Sequence, residues 1–255
     1  MKLIDIHAHL TFKSFRKDLD EVINRAKSAG LIAVIDSGID PEDFIKAIKV
    51  STKYSNYVFV TLGAAPQQLN EQQYTETLDL IEKYINSVVA IGEIGLDYYW
   101  VKDPEQREFT RRAFRELASM AISYDKPIVI HNRDATKDVI DILTEVNAEK
   151  VVFHAFMGNL EEARIIINKG WYISIPTIIA RSEKHKHVVK HVDLEHIMLE
   201  TDSPFLAPWP RSRNEPANVK VSAEIISKIK NVSIEKVSDI TTRNAIEFFK
   251  LPLKL

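Results

Sequence analysis

Eight short apolar runs, each continuous rather than alternating with polar residues, limit what this chain can fold into. They occupy residues 3–6, 31–35, 57–62, 88–91, 127–130, 151–153, 171–175 and 197–199 and are rich in Val and Ile. A strand with one wet face alternates apolar and polar side chains; an unbroken β-branched run is buried on both faces, as in a parallel sheet. Longer amphipathic segments separate the runs. One puts Phe15, Leu19, Val22, Ile23 and Ala26 on a single helix face, with Gly30 where a C-terminal cap falls. Another opens on Asp103-Pro104-Glu105-Gln106, with an N-cap acid, a proline at the first helical position and Gln106 spaced to reach back. Eight strands, each followed by a helix, predict an α/β fold, a parallel sheet closed into a (β/α)8 TIM barrel. Residues 233–249 add one C-terminal amphipathic helix. A doubly wound open sheet is the structural alternative, but usually has fewer strands at this length. The 255 residues contain no linker, repeat or low-complexity tract, so 1–255 is expected to form one domain, close to the roughly 250 residues of a single barrel.

Composition then narrows the chemistry. With 34 basic and 36 acidic side chains the formal charge is -2, so any contact with a polyanion must come from local basic loops. The absence of cysteine excludes disulfides and thiolate catalysis. The apolar start of the chain is short and interrupted by Asp5 and His7, unlike a signal peptide. No segment approaches the roughly 20 apolar residues of a membrane span. A soluble cytoplasmic protein without a membrane partner is the expectation.

The chemically informative residues recur just past the apolar runs: His7 and His9, then Gly63, Glu93, His131, His154 and Asp202. Barrel enzymes build their sites at the C-terminal strand ends, where residues distant in sequence converge on one mouth. On a strand, positions i and i+2 share a side, so His7 and His9 can ligate one ion together. An unpaired carboxylate at Glu93 would be costly to bury, and a cation between it and the histidines offsets that cost. Asp202 is placed to ligate metal while orienting or deprotonating a water. A lone histidine after a strand is more often a hydrogen-bonded structural residue; six chelating side chains in this pattern favour a metal site. By contrast, His185, His187, His191 and His196 fall in or near a charged stretch and read as a solvated helix face. Arg211 and Arg213 can be ordinary loop charges or phosphate contacts. Glu200 is expected to support the ligands from behind.

Taken in order, Asp5-Ile6-His7-Ala8-His9-Leu10, Gly92-Glu93-Ile94-Gly95-Leu96-Asp97-Tyr98, His131-Asn132-Arg133, His154-Ala155-Phe156-Met157-Gly158, Glu200-Thr201-Asp202-Ser203-Pro204 and Arg213-Asn214-Glu215-Pro216 resemble the successive motifs of the TatD-like metal-dependent deoxyribonucleases, a branch of the amidohydrolase superfamily. The resemblance covers nearly the whole chain. It implies that His7, His9, Glu93 and Asp202 hold a first divalent cation and that Glu93 bridges to a second held by His131 and His154. It implies phosphodiester hydrolysis by a metal-activated water, removing nucleotides from DNA ends or single strands in the cytoplasm. Asp202, with Glu93, is then the catalytic carboxylate. Arg133, Arg211, Arg213 and Asn214 are the expected substrate contacts, with Asp97 and Glu200 fixing imidazole tautomers or anchoring the arginines. Four imidazoles suit Zn2+ or Mn2+, whereas the family nucleases are generally taken to use Mg2+.

Two departures stand out. Family members usually carry Gly-x-His-Pro-His after the third strand, where this chain has Gly63-Ala64-Ala65-Pro66-Gln67; Ala65 and Gln67 replace the two histidines. A general acid is worth about 100- to 10,000-fold, so their loss bears on leaving-group protonation unless another group such as Tyr98 acts instead. Pro176 stands where the family commonly has glycine after the seventh strand. The same ligand set can also hydrolyse acyl bonds, as in an amidase or an aminoacyl-tRNA deacylase. A catalytically dead binding protein has no reason to keep six costly buried ligands.

Overall fold

A computed structural model describes residues 1–254. The strands are β1 (Leu3–Ala8), β2 (Leu31–Gly38), β3 (Val58–Leu62), β4 (Ala90–Asp97), β5 (Ile128–Arg133), β6 (Val151–Phe153), β7 (Tyr172–Ile175) and β8 (Ile197–Leu199). They lie side by side in chain order and every pairing is parallel. The ring closes just past β8: Ala8 bridges Ser203, the His9 N–H donates to Ser203 O at 2.8 Å and the Asp202 N–H to His7 O at 2.9 Å. This is the (β/α)8 barrel that the apolar runs predict.

Helices α1 (Leu19–Ser28), α2 (Pro41–Lys53), α3 (Glu71–Tyr84), α4 (Pro104–Ser123), α5 (Thr136–Glu145), α6 (Leu160–Asn168), α7 (Glu183–His191) and α8 (Val219–Lys230) follow the strands in turn, and α9 (Ile234–Phe249) is the extra C-terminal helix. Phe15 is buried as expected, but in a 3-10 turn ahead of α1 rather than in that helix. At α4, Asp103 accepts from the Gln106 N–H at 2.8 Å. Gln106 does not reach back; its Nε2 donates to Leu69 O at 2.6 Å and ties α4 to the loop before α3. Ser233 caps α9, whose Ser238 and Thr242 hydroxyls donate to Lys2 O, so the tail helix secures the start of β1.

Apolar packing comes in two layers. One joins the strands to the surrounding helices through residues such as Phe44, Phe114, Phe153 and Trp171. The smaller joins Ile4, Ile6, Val129 and Met198 to Phe248 and Phe249 at the end of α9. Among the described residues no helix is long and apolar enough to cross a membrane.

Four strands, β1, β2, β4 and β5, run further than their apolar runs, and β1 takes in His7. β4 continues through Glu93 to Asp97 and β5 through His131 to Arg133, so these residues sit inside strands rather than past them. Glycine makes this possible. A Cβ on Gly63 would lie 2.3 Å from the Glu93 carbonyl oxygen, and one on Gly95, whose φ is +144°, would lie 2.0 Å from the His131 carbonyl oxygen. No side chain fits such an approach, so the backbone bearing Glu93 passes between its neighbours only because both positions are bare.

Candidate metal centre

The six expected ligands converge at the C-terminal end of the barrel. His7, His9, Glu93 and His154 are at most 6% exposed, and Asp202 and His131 are partly buried. Glu93 stands between two groups of imidazoles. Its Oε1 lies 2.5 Å from His131 Nδ1 and 3.1 Å from His154 Nε2, and its Oε2 lies 3.3 Å from His7 Nε2. Asp202 Oδ1 lies 3.3 Å from His9 Nε2 and 3.9 Å from His7 Nε2. Asp202 has a left-handed backbone (φ 55°), which an aspartate tolerates better than most residues.

These residues fit divalent cations. His7, His9 and Glu93 offer ligand atoms within 4.8 Å of one another, as do Glu93, His131 and His154, and Glu93 is common to both sets. His7 Nε2 is buried without a hydrogen-bond partner, and the ring nitrogens of His131 and His154 face each other at 3.4 Å. Buried polar atoms are seldom left this way unless something else binds them. Burial alone pushes the Glu93 carboxyl up, but the His154 and His131 imidazoles outweigh it and hold it well below the usual carboxylate range. Burial likewise works against charge on His9, and the Asp202 carboxylate prevails, raising it to about 9. Protonated imidazoles thus supply the positive charge that a cation would bring, so metal binding displaces protons.

Behind the ligands, Asp97 Oδ2 lies 2.9 Å from His131 Nε2. Its Oδ1 accepts the Tyr99 and Trp100 N–H groups, so Asp97 orients an imidazole and, among the described residues, makes no hydrogen bond to an arginine. Glu200, just past β8, accepts from the Ser174 hydroxyl while its Oε1 lies 3.8 Å from His154 Nδ1. Gln67 Nε2 lies 3.1 Å from His131 Nε2, and Ala65 lines the cavity beside the centre. Tyr98 is turned elsewhere, its hydroxyl donating to Asp138 at 2.6 Å. Pro176 caps the 3-10 turn Thr177–Arg181.

The four expected substrate contacts part company here. Arg133 lines both clefts flanking the centre, its guanidinium 3.8 Å from the Tyr99 ring. Arg213 instead reaches Asp18 at 2.6 Å and Ser14 O at 2.6 Å, over the Phe15 ring. Asn214 is fully buried, its amide donating to Thr177 Oγ1, Thr201 O and Phe205 O. Arg211 is exposed with a left-handed backbone. None of these three lines either cleft.

Two features escape the sequence reading. Asp5, fully buried, accepts from the His7 N–H, the Thr201 N–H and the Thr201 hydroxyl, so one carboxylate clasps the β1 and β8 ends that carry three of the ligands. Its signal is a charge inside an apolar run, two residues before His7. His185 is buried rather than solvated, with Nδ1 2.7 Å from the Ser182 hydroxyl. α7 is short and buries one face, so the histidine on that face goes inward despite its charged neighbours.

A family model described as TatD related DNase matches residues 4–250. The chain belongs to the TatD family. It is 37% identical to Deoxyribonuclease TATDN3 of Homo sapiens, over 97% of this chain and 94% of that protein. It is 36% identical to YabD of Bacillus subtilis, an uncharacterized metal-dependent hydrolase, over 98% and 99%. A crystal structure of a TatD family hydrolase from Entamoeba histolytica superposes with a TM-score of 0.88 at 29% identity, covering 96% of this chain and 97% of that one. A Campylobacter jejuni dihydroorotase, at TM-score 0.59 and 16% identity, shares the fold alone. This TatD protein is therefore a metal-dependent hydrolase, and its clustered histidines and carboxylates are groups that could hold divalent metal.

Proposed function

We propose that this TatD hydrolase is a deoxyribonuclease that removes nucleotides from the ends of single-stranded DNA, using two divalent cations. The carrying observation is Glu93, whose two oxygens face separate imidazole groups. His7, His9, Glu93 and Asp202 would hold one cation; Glu93, His131 and His154 the other. Bound there, the cations supply Lewis acidity and positive charge toward phosphate oxygens. Asp202 takes up the proton of the attacking water at its carboxylate. Arg133, forming no ion pair among the described residues, neutralises charge developing on the phosphate. Asp97 keeps His131 in one tautomer. A set of four imidazoles suits Zn2+ or Mn2+ better than Mg2+.

A second reading, acyl-bond hydrolysis, is favoured by Ala65 and Gln67, which stand where the two family histidines are expected. Protein loaded in turn with Zn2+, Mn2+ or Mg2+ is assayed on single-stranded DNA and on an aminoacyl ester. DNA turnover without ester turnover supports the nuclease; the reverse replaces it. A cytoplasmic location and action as one domain belong to the same proposal, tested by imaging a tagged protein and by a single unfolding transition.

A further inference from the structure

We propose that Trp100 is a stacking platform for a nucleobase, holding the base of the terminal nucleotide in the cavity beside Glu93 and His131. This deepens the nuclease reading and rests on it. Trp100 is 62% exposed, so folding leaves a large apolar ring in water. It is nonetheless held in register with the metal centre. The carboxylate of Asp97 that contacts His131 Nε2 through Oδ2 accepts the Trp100 N–H at 2.9 Å and the Tyr99 N–H at 3.0 Å through Oδ1. Tyr99 braces the indole in a T-shaped contact at 5.0 Å, and Arg133 lies against Tyr99. An exposed aromatic fixed in this way is organised for a ligand rather than for the core.

The cavity that Trp100 lines identifies the ligand. Its volume, about 530 Å³, exceeds a phosphate and suits a nucleotide, and the side chains of Gln67 and Gln73 also line it. Amides both donate and accept, which meets the mixed hydrogen-bonding edge of a base, and every base offers a π-face to an indole. The other cleft, of about 460 Å³, contains Arg133, Asp134, Glu162 and Lys184 and no Phe, Tyr or Trp, which suits a charged backbone instead. Trp209 is 55% exposed yet lines neither cleft.

The test compares wild type, Trp100→Ala, Trp100→Phe and Trp209→Ala, each with its melting temperature. Binding of dTMP and of 2-deoxyribose 5-phosphate is followed by indole fluorescence and calorimetry, and kcat and KM are measured on a single-stranded oligonucleotide. In wild type dTMP binds and quenches while the sugar phosphate binds about 10- to 100-fold more weakly. Trp100→Ala loses that preference and raises KM about tenfold with kcat nearly kept, Trp100→Phe restores most of it, and Trp209→Ala changes neither. Equal affinity of wild type for the two ligands, or an unchanged KM in Trp100→Ala, overturns the platform even if DNA is cut. A dTMP preference in a protein that cuts no DNA keeps the subsite and removes the nuclease.

Discussion

Six chelating side chains at the floor of the barrel mouth hold one another, whereas two arginines of its rim differ: Arg133 forms no ion pair among the described residues and Arg213 is committed to Asp18. On the floor, Glu93 touches His131 and His154 through two nitrogen–oxygen contacts, and Asp97, Glu200 and Asp5 stand behind. At the rim, Arg133 lies against an aromatic ring while Arg213 is bonded to Asp18. The difference teaches where function is fixed. Strand ends are placed by the sheet and can carry exact geometry; loop cations are placed by whichever carboxylate they find first.

The sharpest break in that comparison comes from the floor. Asp202→Asn keeps the shape but removes the proton acceptor, so kcat falls at least about 1000-fold with an unchanged melting temperature. A variant retaining a tenth of wild-type turnover removes Asp202 from the chemistry.

Ala65 lies between floor and rim. If leaving-group protonation limits this enzyme, Ala65→His raises kcat/KM up to about two orders of magnitude on ordinary DNA, and far less on a nitrophenyl phosphodiester. Equal effects on both substrates make Ala65 a packing residue only.

The rim itself separates next. Arg133→Ala weakens binding to a single-stranded oligonucleotide about tenfold and reduces the salt dependence by roughly one phosphate contact. Arg213→Ala alters binding and turnover less than about twofold and costs under about 1 kcal/mol, because its partner is a partly exposed acid. Matching losses in both variants would erase the distinction between the two arginines.

A control lies away from the mouth. Burial first, and the Lys184 ammonium second, lower His185 to about 4. The unfolded chain takes up that proton near the ordinary value of about 6.5, so stability is full above 6.5 and falls by up to about 3 kcal/mol as pH drops to 4. His185→Gln flattens this part of the curve while metal content stays constant; an unchanged curve leaves His185 solvated.

Legibility followed the same divide. Barrel strands and chelating residues could be read because continuous apolar runs mark strands buried on both faces, and a strand end is a defined place. The prolongation of β4 through Glu93 was hidden, since Gly92, Glu93 and Gly95 look like a turn until the sheet shows that only bare positions fit there. The place of the Arg213 guanidinium could not be read because a motif gives neighbours in sequence, while its ion-pair partner Asp18 lies nearly 200 residues away. His185 was hidden by charged neighbours that sit on the other face of its helix.

The shared carboxylate is tested most directly by counting metal. Wild type and Glu93→Ala are stripped, reloaded with Mn2+ or Zn2+, dialysed and analysed for metal per chain, with circular dichroism as the check on folding. Two tightly held ions in wild type, at most one in folded Glu93→Ala and no turnover from the variant are the results that a bridging Glu93 requires. Two ions and full turnover in Glu93→Ala would contradict it.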